Sequence, residues 1–112
     1  MNNHYKNLPK KRVGAGVLFF NEKKEILLVK PNYKDYWSVP GGTADENESP
    51  KKAAIREAKE EVGIEEKSVH LLCVDYCSDT VEKGDSIQFL FYGGVLTQDQ
   101  VKSIKIQEDE IS

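Results

Sequence analysis

The sequence predicts one mixed sheet domain, α/β or α+β, on three observations. Several apolar, β-branched runs have the length of strands, a single strongly capped helix stands among them, and 112 residues can enclose one hydrophobic core and little more. Residues 1–112 are therefore read as one domain, with residues 1–11 as a loosely ordered lead-in.

The lead-in is polar, contains Pro9 and runs into the basic stretch Lys10, Lys11, Arg12. Residues 13–20 and 25–30, the latter apolar at 26–29, flank a polar turn at 21–24 and predict a β-hairpin. After Pro31 a loop carries Tyr33, Tyr36 and Trp37 to the short segment 37–39, which Pro40, Gly41 and Gly42 bring to a stop. Paired glycines mark backbone that turns sharply or approaches something closely.

Ser49 followed by Pro50 is a strong helix start, a hydroxyl cap ahead of proline at the first helical position, and Gly63 supplies a C-terminal stop after Val62. Residues 69–78 and 86–96, on either side of a polar turn containing Gly84, predict a third and a fourth long strand. The tail from residue 97 alternates at Ile104 and Ile106 and then turns acidic at Glu108, Asp109 and Glu110.

Composition narrows the function. Sixteen basic against nineteen acidic side chains give a net charge of −3, which leaves no broad electropositive surface for polymeric nucleic acid. The longest uncharged apolar stretch, residues 14–20, is too short to span a membrane, and the first twelve residues lack the apolar core of a signal peptide. A cytoplasmic protein with no membrane partner is expected. Cys73 and Cys77 lie four apart in a strand, roughly 13 Å at about 3.3 Å per residue, so they are read as reduced packing residues, buried or half-buried.

On a helical wheel begun at Ala53, Ala54, Ile55, Ala58 and Val62 form one arc, while Glu57, Glu60 and Glu61 form another that also contains Ala53. A solvated face is the ordinary meaning of such an acidic arc. Two penalties weigh against it here: Glu57 and Glu61 are like charges one turn apart, and all three carboxylates sit in the half of the helix where the dipole disfavours anions. A divalent cation would remove both. Oxygen donors with no His or Cys nearby point to Mg²⁺, with Mn²⁺ as a substitute, and the glycines before the helix can offer backbone carbonyls to the same ion.

Gly42, five residues, Glu48, seven residues, and then Arg56-Glu57-Ala58-Lys59-Glu60-Glu61-Val62-Gly63-Ile64 resembles the signature of the Nudix hydrolase family, MutT-like. Seven fixed identities at fixed spacing arise by chance once in ~10⁹ windows. Trp37-Ser38-Val39-Pro40-Gly41-Gly42 is similar to the family's lead-in, and Asn47 stands where the family often has glycine, a position asparagine tolerates in left-handed backbone.

The resemblance implies a Nudix-type mixed β-sheet packed against helices, an α/β/α sandwich. It also implies a further strand and a second helix beyond Ser112, so the C-terminal part is expected to be truncated, leaving apolar sheet uncovered and favouring a homodimer. In the same way it implies that Glu57, Glu60, Glu61 and the Gly41 carbonyl hold the metal, that Glu48 contributes from its loop, and that Arg56 orients a carboxylate. The implied reaction is attack of water on a phosphoanhydride of a small nucleotide, with Glu57, Glu60 or Glu110 as candidate base and Glu110 also a candidate metal ligand.

Tyr36 and Trp37 are candidates to stack on a base, although aromatics beside a strand more often belong to the core. Lys30, at a strand end, is a candidate phosphate contact. The region at Asp79, Thr80 and Val81 lacks the proline or tyrosine of ADP-ribose or dinucleoside polyphosphate hydrolases, which favours nucleoside triphosphates. A catalytically weak nucleotide-binding domain, or an ADP-ribose or nucleotide-sugar pyrophosphatase, is the alternative.

Overall fold

The computed structural model describes residues 5–30, 35–78 and 84–104. A 3₁₀ turn at Tyr5–Asn7 precedes strand β1 (Arg12–Phe20), which is followed by β2 (Gly41–Thr43), helix α1 (Pro50–Val62), β3 (His70–Cys77), β4 (Ser86–Val95) and a short helix α2 (Gln98–Lys102). The four strands form one sheet in the order β2-β1-β4-β3. Its pairing is mixed: β1 runs antiparallel to β2 and parallel to β4, and β4 runs antiparallel to β3.

Helix α1 begins and ends where its caps require. Ser49 holds extended backbone and its side chain accepts from the Lys52 N–H, while Gly63 takes the left-handed conformation at φ 76° and its N–H donates to the Lys59 carbonyl. The apolar face of α1 is made of small residues, with Ala53, Ala54 and Val62 fully buried and Ala58 nearly so. It packs on the face of β1 that carries Ala15, Val17 and Phe19, joined there by Phe91 of β4. Alanine brings the helix axis close to the sheet, which is what sets the acidic flank of α1 against β2.

Three expectations are corrected. Residues 25–30 form no regular strand and meet their neighbours through isolated bridges, Phe20 to Ile26 and Val29 to Ser38. The reason is competition for edges, since β1 already has β4 on one side and β2 on the other, leaving only its end for the second arm of the hairpin. Gly41 and Gly42, read as a stop, are themselves the strand β2; their φ values are not positive, and a Cβ on Gly41 would strike the Ala15 carbonyl and the Gly16 Cα. Close approach is thus the reason for glycine there.

Cys73 and Cys77 are exposed thiols because β3 is the outer strand of the described sheet, with every residue exposed. Helix α2 was not anticipated, although Thr97 and Gln100 form a capping box whose Thr-x-x-Gln spacing is visible in the sequence. Among the described residues, no helix is long and apolar enough to cross a membrane.

Phe19, wholly buried between α1 and the sheet, is expected to cost about 3–5 kcal/mol when replaced by alanine. Loss of the Ser49 cap should cost about 1 kcal/mol. Urea unfolding of Phe19→Ala and Ser49→Ala measures both, and equal costs would contradict this ranking.

Candidate functional site

The loop between β2 and α1 is built to hold one carboxylate. Asn47 takes the left-handed conformation at φ 63°, the Glu48 N–H donates to the Asp45 carbonyl at 3.1 Å, and the Asp45 N–H donates to Glu48 Oε1 at 2.9 Å. Glu48 is thereby aimed at the helix. Arg56 meets it there in a two-pronged pair, Nε to Oε2 at 2.8 Å and Nη2 to Oε1 at 3.0 Å.

The remaining guanidinium atoms reach further groups. Arg56 Nη1 donates to Glu60 at 2.8 Å and lies 3.7 Å from Glu57, and Nη2 donates to the Thr43 carbonyl at 3.2 Å and stands 3.6 Å from Asp45. One arginine therefore ties the loop, the helix and the end of β2 together. The hydrogen bond from Arg56, and after it the Asp45 N–H, lowers the Glu48 pKa to about 2, and the bonds from Glu48 and Glu60 push Arg56 higher still.

Glu61 is buried at 4% exposure, and its Oε1 accepts the Gly41 N–H at 2.9 Å. Glu57 lies against Gly42, where any Cβ would collide with its carboxylate. So two members of the acidic arc, Glu57 and Glu61, face β2 and are mostly covered, while Glu60 is 44% exposed at the side chain. The like-charge penalty read from the sequence is met in part by Arg56 and by the Gly41 N–H.

The donor set suits a hard cation. Its atoms are all oxygens, and the Gly42 notch holds one carboxylate beside β2. Among the described residues, however, no three acidic, histidine or cysteine side chains stand together as a ready-made metal cage. The carboxylates are engaged with protein partners.

Sequence reasoning placed Arg56 on one carboxylate, and the structure brings Glu48, Glu57 and Glu60 to it. It assigned the Gly41 carbonyl a role and missed the Gly41 N–H, the Thr43 carbonyl and Asp45. The first two are backbone atoms that no residue type signals; Asp45 was visible as a carboxylate in the loop but carries no spacing rule. Tyr36 and Trp37 are 59% and 60% exposed, so they are not core residues. The antiparallel bridge of Val29 with Ser38 brings the backbone of Lys30 near that of Trp37, next to β2. Glu110, Tyr33 and residues 79–81 lie outside the described residues.

A family model described as the NUDIX domain matches residues 10–112. Among curated proteins, an RNA pyrophosphohydrolase of Hydrogenovibrio crunogenus is 39% identical over 61 residues, covering 54% of this chain and 37% of that protein. A putative 8-oxo-dGTP diphosphatase of Bacillus subtilis is 48% identical over 50 residues, covering 45% of this chain and 34% of that one. The matched segments thus span little more than a third of those relatives. Among solved structures, a MutT NUDIX hydrolase from Burkholderia pseudomallei superposes with a TM-score of 0.77 at 25% identity, covering 93% of this chain and 80% of its own. A MutT protein from Methanosarcina mazei gives 0.75 at 27% identity, covering 95% and 77%.

Glu48 sets an acid dependence whose sign follows from its depressed pKa. The stability it contributes is present above the ordinary carboxylate value of 4.5 and is lost as pH falls toward about 2. Urea midpoints should therefore fall with pH in that window, and Glu48→Gln should flatten the fall; an unchanged acid profile in the variant would contradict the assignment to Glu48.

Proposed function

This chain belongs to the NUDIX domain family, and from that membership we propose that it is a Mg²⁺-dependent hydrolase of a phosphoanhydride bond in a small nucleotide, with nucleoside triphosphates the favoured substrates. The observation that carries the reading is the arrangement around Arg56, which draws Glu48 from the loop and Glu60 from the helix to one guanidinium, beside Glu57 and Glu61 against β2.

Glu57, Glu60 and Glu61, the Gly41 carbonyl and Glu48 are the groups that would hold the ion. When bound, Mg²⁺, or Mn²⁺ in its place, supplies positive charge against the phosphates and makes water a better acid at neutral pH. The chain itself supplies no broad cationic surface for this purpose, its net charge being −3. Arg56 keeps the carboxylates in register, and its hold on Glu48 ensures that this group is an anion at neutral pH.

The attacking water must lose a proton to a carboxylate within hydrogen-bond reach. Glu57 and Glu60, which both stand beside Arg56, are the candidates for this proton acceptor. Lys30 would meet a phosphate and Tyr36 or Trp37 a base, a reading supported by the exposure of both rings.

A second reading places the triphosphate at the 5′ end of an RNA. It is favoured by the relatives named RNA pyrophosphohydrolase and opposed by the net negative charge of this chain, which offers little to a polyanion.

Turnover of nucleoside triphosphates, ADP-ribose, nucleotide sugars and a 5′-triphosphorylated RNA, each with and without Mg²⁺, decides among these. Release of nucleoside monophosphate only with the metal is expected. Glu57→Gln and Glu60→Gln should each lower kcat by about 10²–10⁴-fold with unfolding midpoints close to wild type. Tight binding with no turnover would instead make the chain a nucleotide sensor, and full rates in both variants would remove the metal assignment.

A further inference from the structure

We propose that β3 is a self-association edge, two copies of the chain joining β3 antiparallel to β3 about a twofold axis with His70 of each copy opposite Asp75 of the partner subunit. The strand is the outermost of the described sheet, and all eight of its residues are exposed. Four of them are large and apolar, Leu71, Leu72, Val74 and Tyr76, each 50–54% exposed. Natural edge strands are usually guarded by lysine, proline or extreme shortness. This one runs eight residues with no lysine or proline, and the guards it carries are a bulge at Leu72 and the charge of Asp75.

The register follows from an irregularity. The pairing of β3 with β4 slips between Leu71 and Cys73, so that Leu72 is an extra residue in the ladder. In a regular strand His70 and Asp75, five apart, would project to opposite faces. Here His70 opposes Tyr92 and Asp75 opposes Gln88, positions four apart on β4, so the two share one face. Leu71 and Val74, opposite Phe91 and Phe89, share the other.

The edge is thereby self-complementary. One antiparallel register sets His70 against the partner's Asp75, Leu71 against the partner's Val74, and Leu72 against the partner's Cys73, each matched pair lying on the same face. The polar pair can hydrogen bond, the apolar pairs pack, and no like charges meet. Without the inserted residue, the same alignment would turn every polar side chain toward the wrong face. Asp75 already lies at the strand backbone, taking the Tyr76 N–H at 2.9 Å.

A single strand pair buries less than the roughly 800 Å² per partner of a standard interface, so the expected dimer is reversible and depends on concentration. Sedimentation velocity of the 112-residue chain over a wide concentration range should show a monomer–dimer equilibrium. His70→Glu, which faces the partner's Asp75 with a like charge, should raise the dissociation constant by about tenfold or more, and adding Asp75→Lys to it should restore association. A short bismaleimide should couple two copies through Cys73 in Cys77→Ser and leave Cys73→Ser uncoupled, because Cys73 lies beside the twofold axis. A monomer at every concentration, no rescue by the second substitution, coupling through Cys77, or protection of the β3 amides that point away from β4 that does not change with concentration would each overturn the proposal.

Discussion

One guanidinium organises this site. Arg56 is the point at which a loop, a helix and a strand end are joined: it takes Glu48 with two nitrogens, Glu60 with a third, and the Thr43 carbonyl besides. Arginine serves here because its fork offers several donors in fixed directions at once, which a lysine ammonium does not. Remove that fork and three like charges stand together at the C-terminal half of a helix, each repelling the others and all opposed by the dipole.

The acidic flank reaches this position through packing that has nothing acidic in it. Alanines at 53, 54 and 58 bring α1 down onto β1, and glycines at 41 and 42 strip β2 of side chains, so that Glu57 and Glu61 fit between helix and strand. Small residues on both elements are the cause and the covered carboxylates are the effect. A bulkier residue at Gly42 would collide with Glu57, and one at Gly41 with the backbone of β1.

What could be read from the sequence was whatever has a local cause. The limits of α1 were legible because Ser49, Pro50 and Gly63 act within one turn of where they stand, and the spacing of Glu48, Arg56, Glu57, Glu60 and Glu61 placed the charged residues before any geometry was available. The left-handed turn at Asn47 was legible for the same reason. What eluded reading depends on partners distant in the chain. That Gly41 and Gly42 form a strand depends on the open edge of β1, and the exposure of Cys73 and Cys77 depends on β3 having no outer neighbour among the described residues. The parallel pairing of β1 with β4 leaves no trace in either strand, each of which is apolar on its own account. Helix α2 is a different case, since its capping box was there to be seen and was passed over for an apolar alternation.

The covered carboxylates beside Gly41 and Gly42 are proposed as the seat of a divalent ion. Paramagnetic broadening by Mn²⁺ in an amide spectrum of the protein tests this without reference to any substrate. The amides of Gly41, Gly42 and the last turn and a half of α1 are expected to broaden first, and excess Mg²⁺ to restore them. Broadening that begins elsewhere, or that Mg²⁺ fails to reverse, would contradict it.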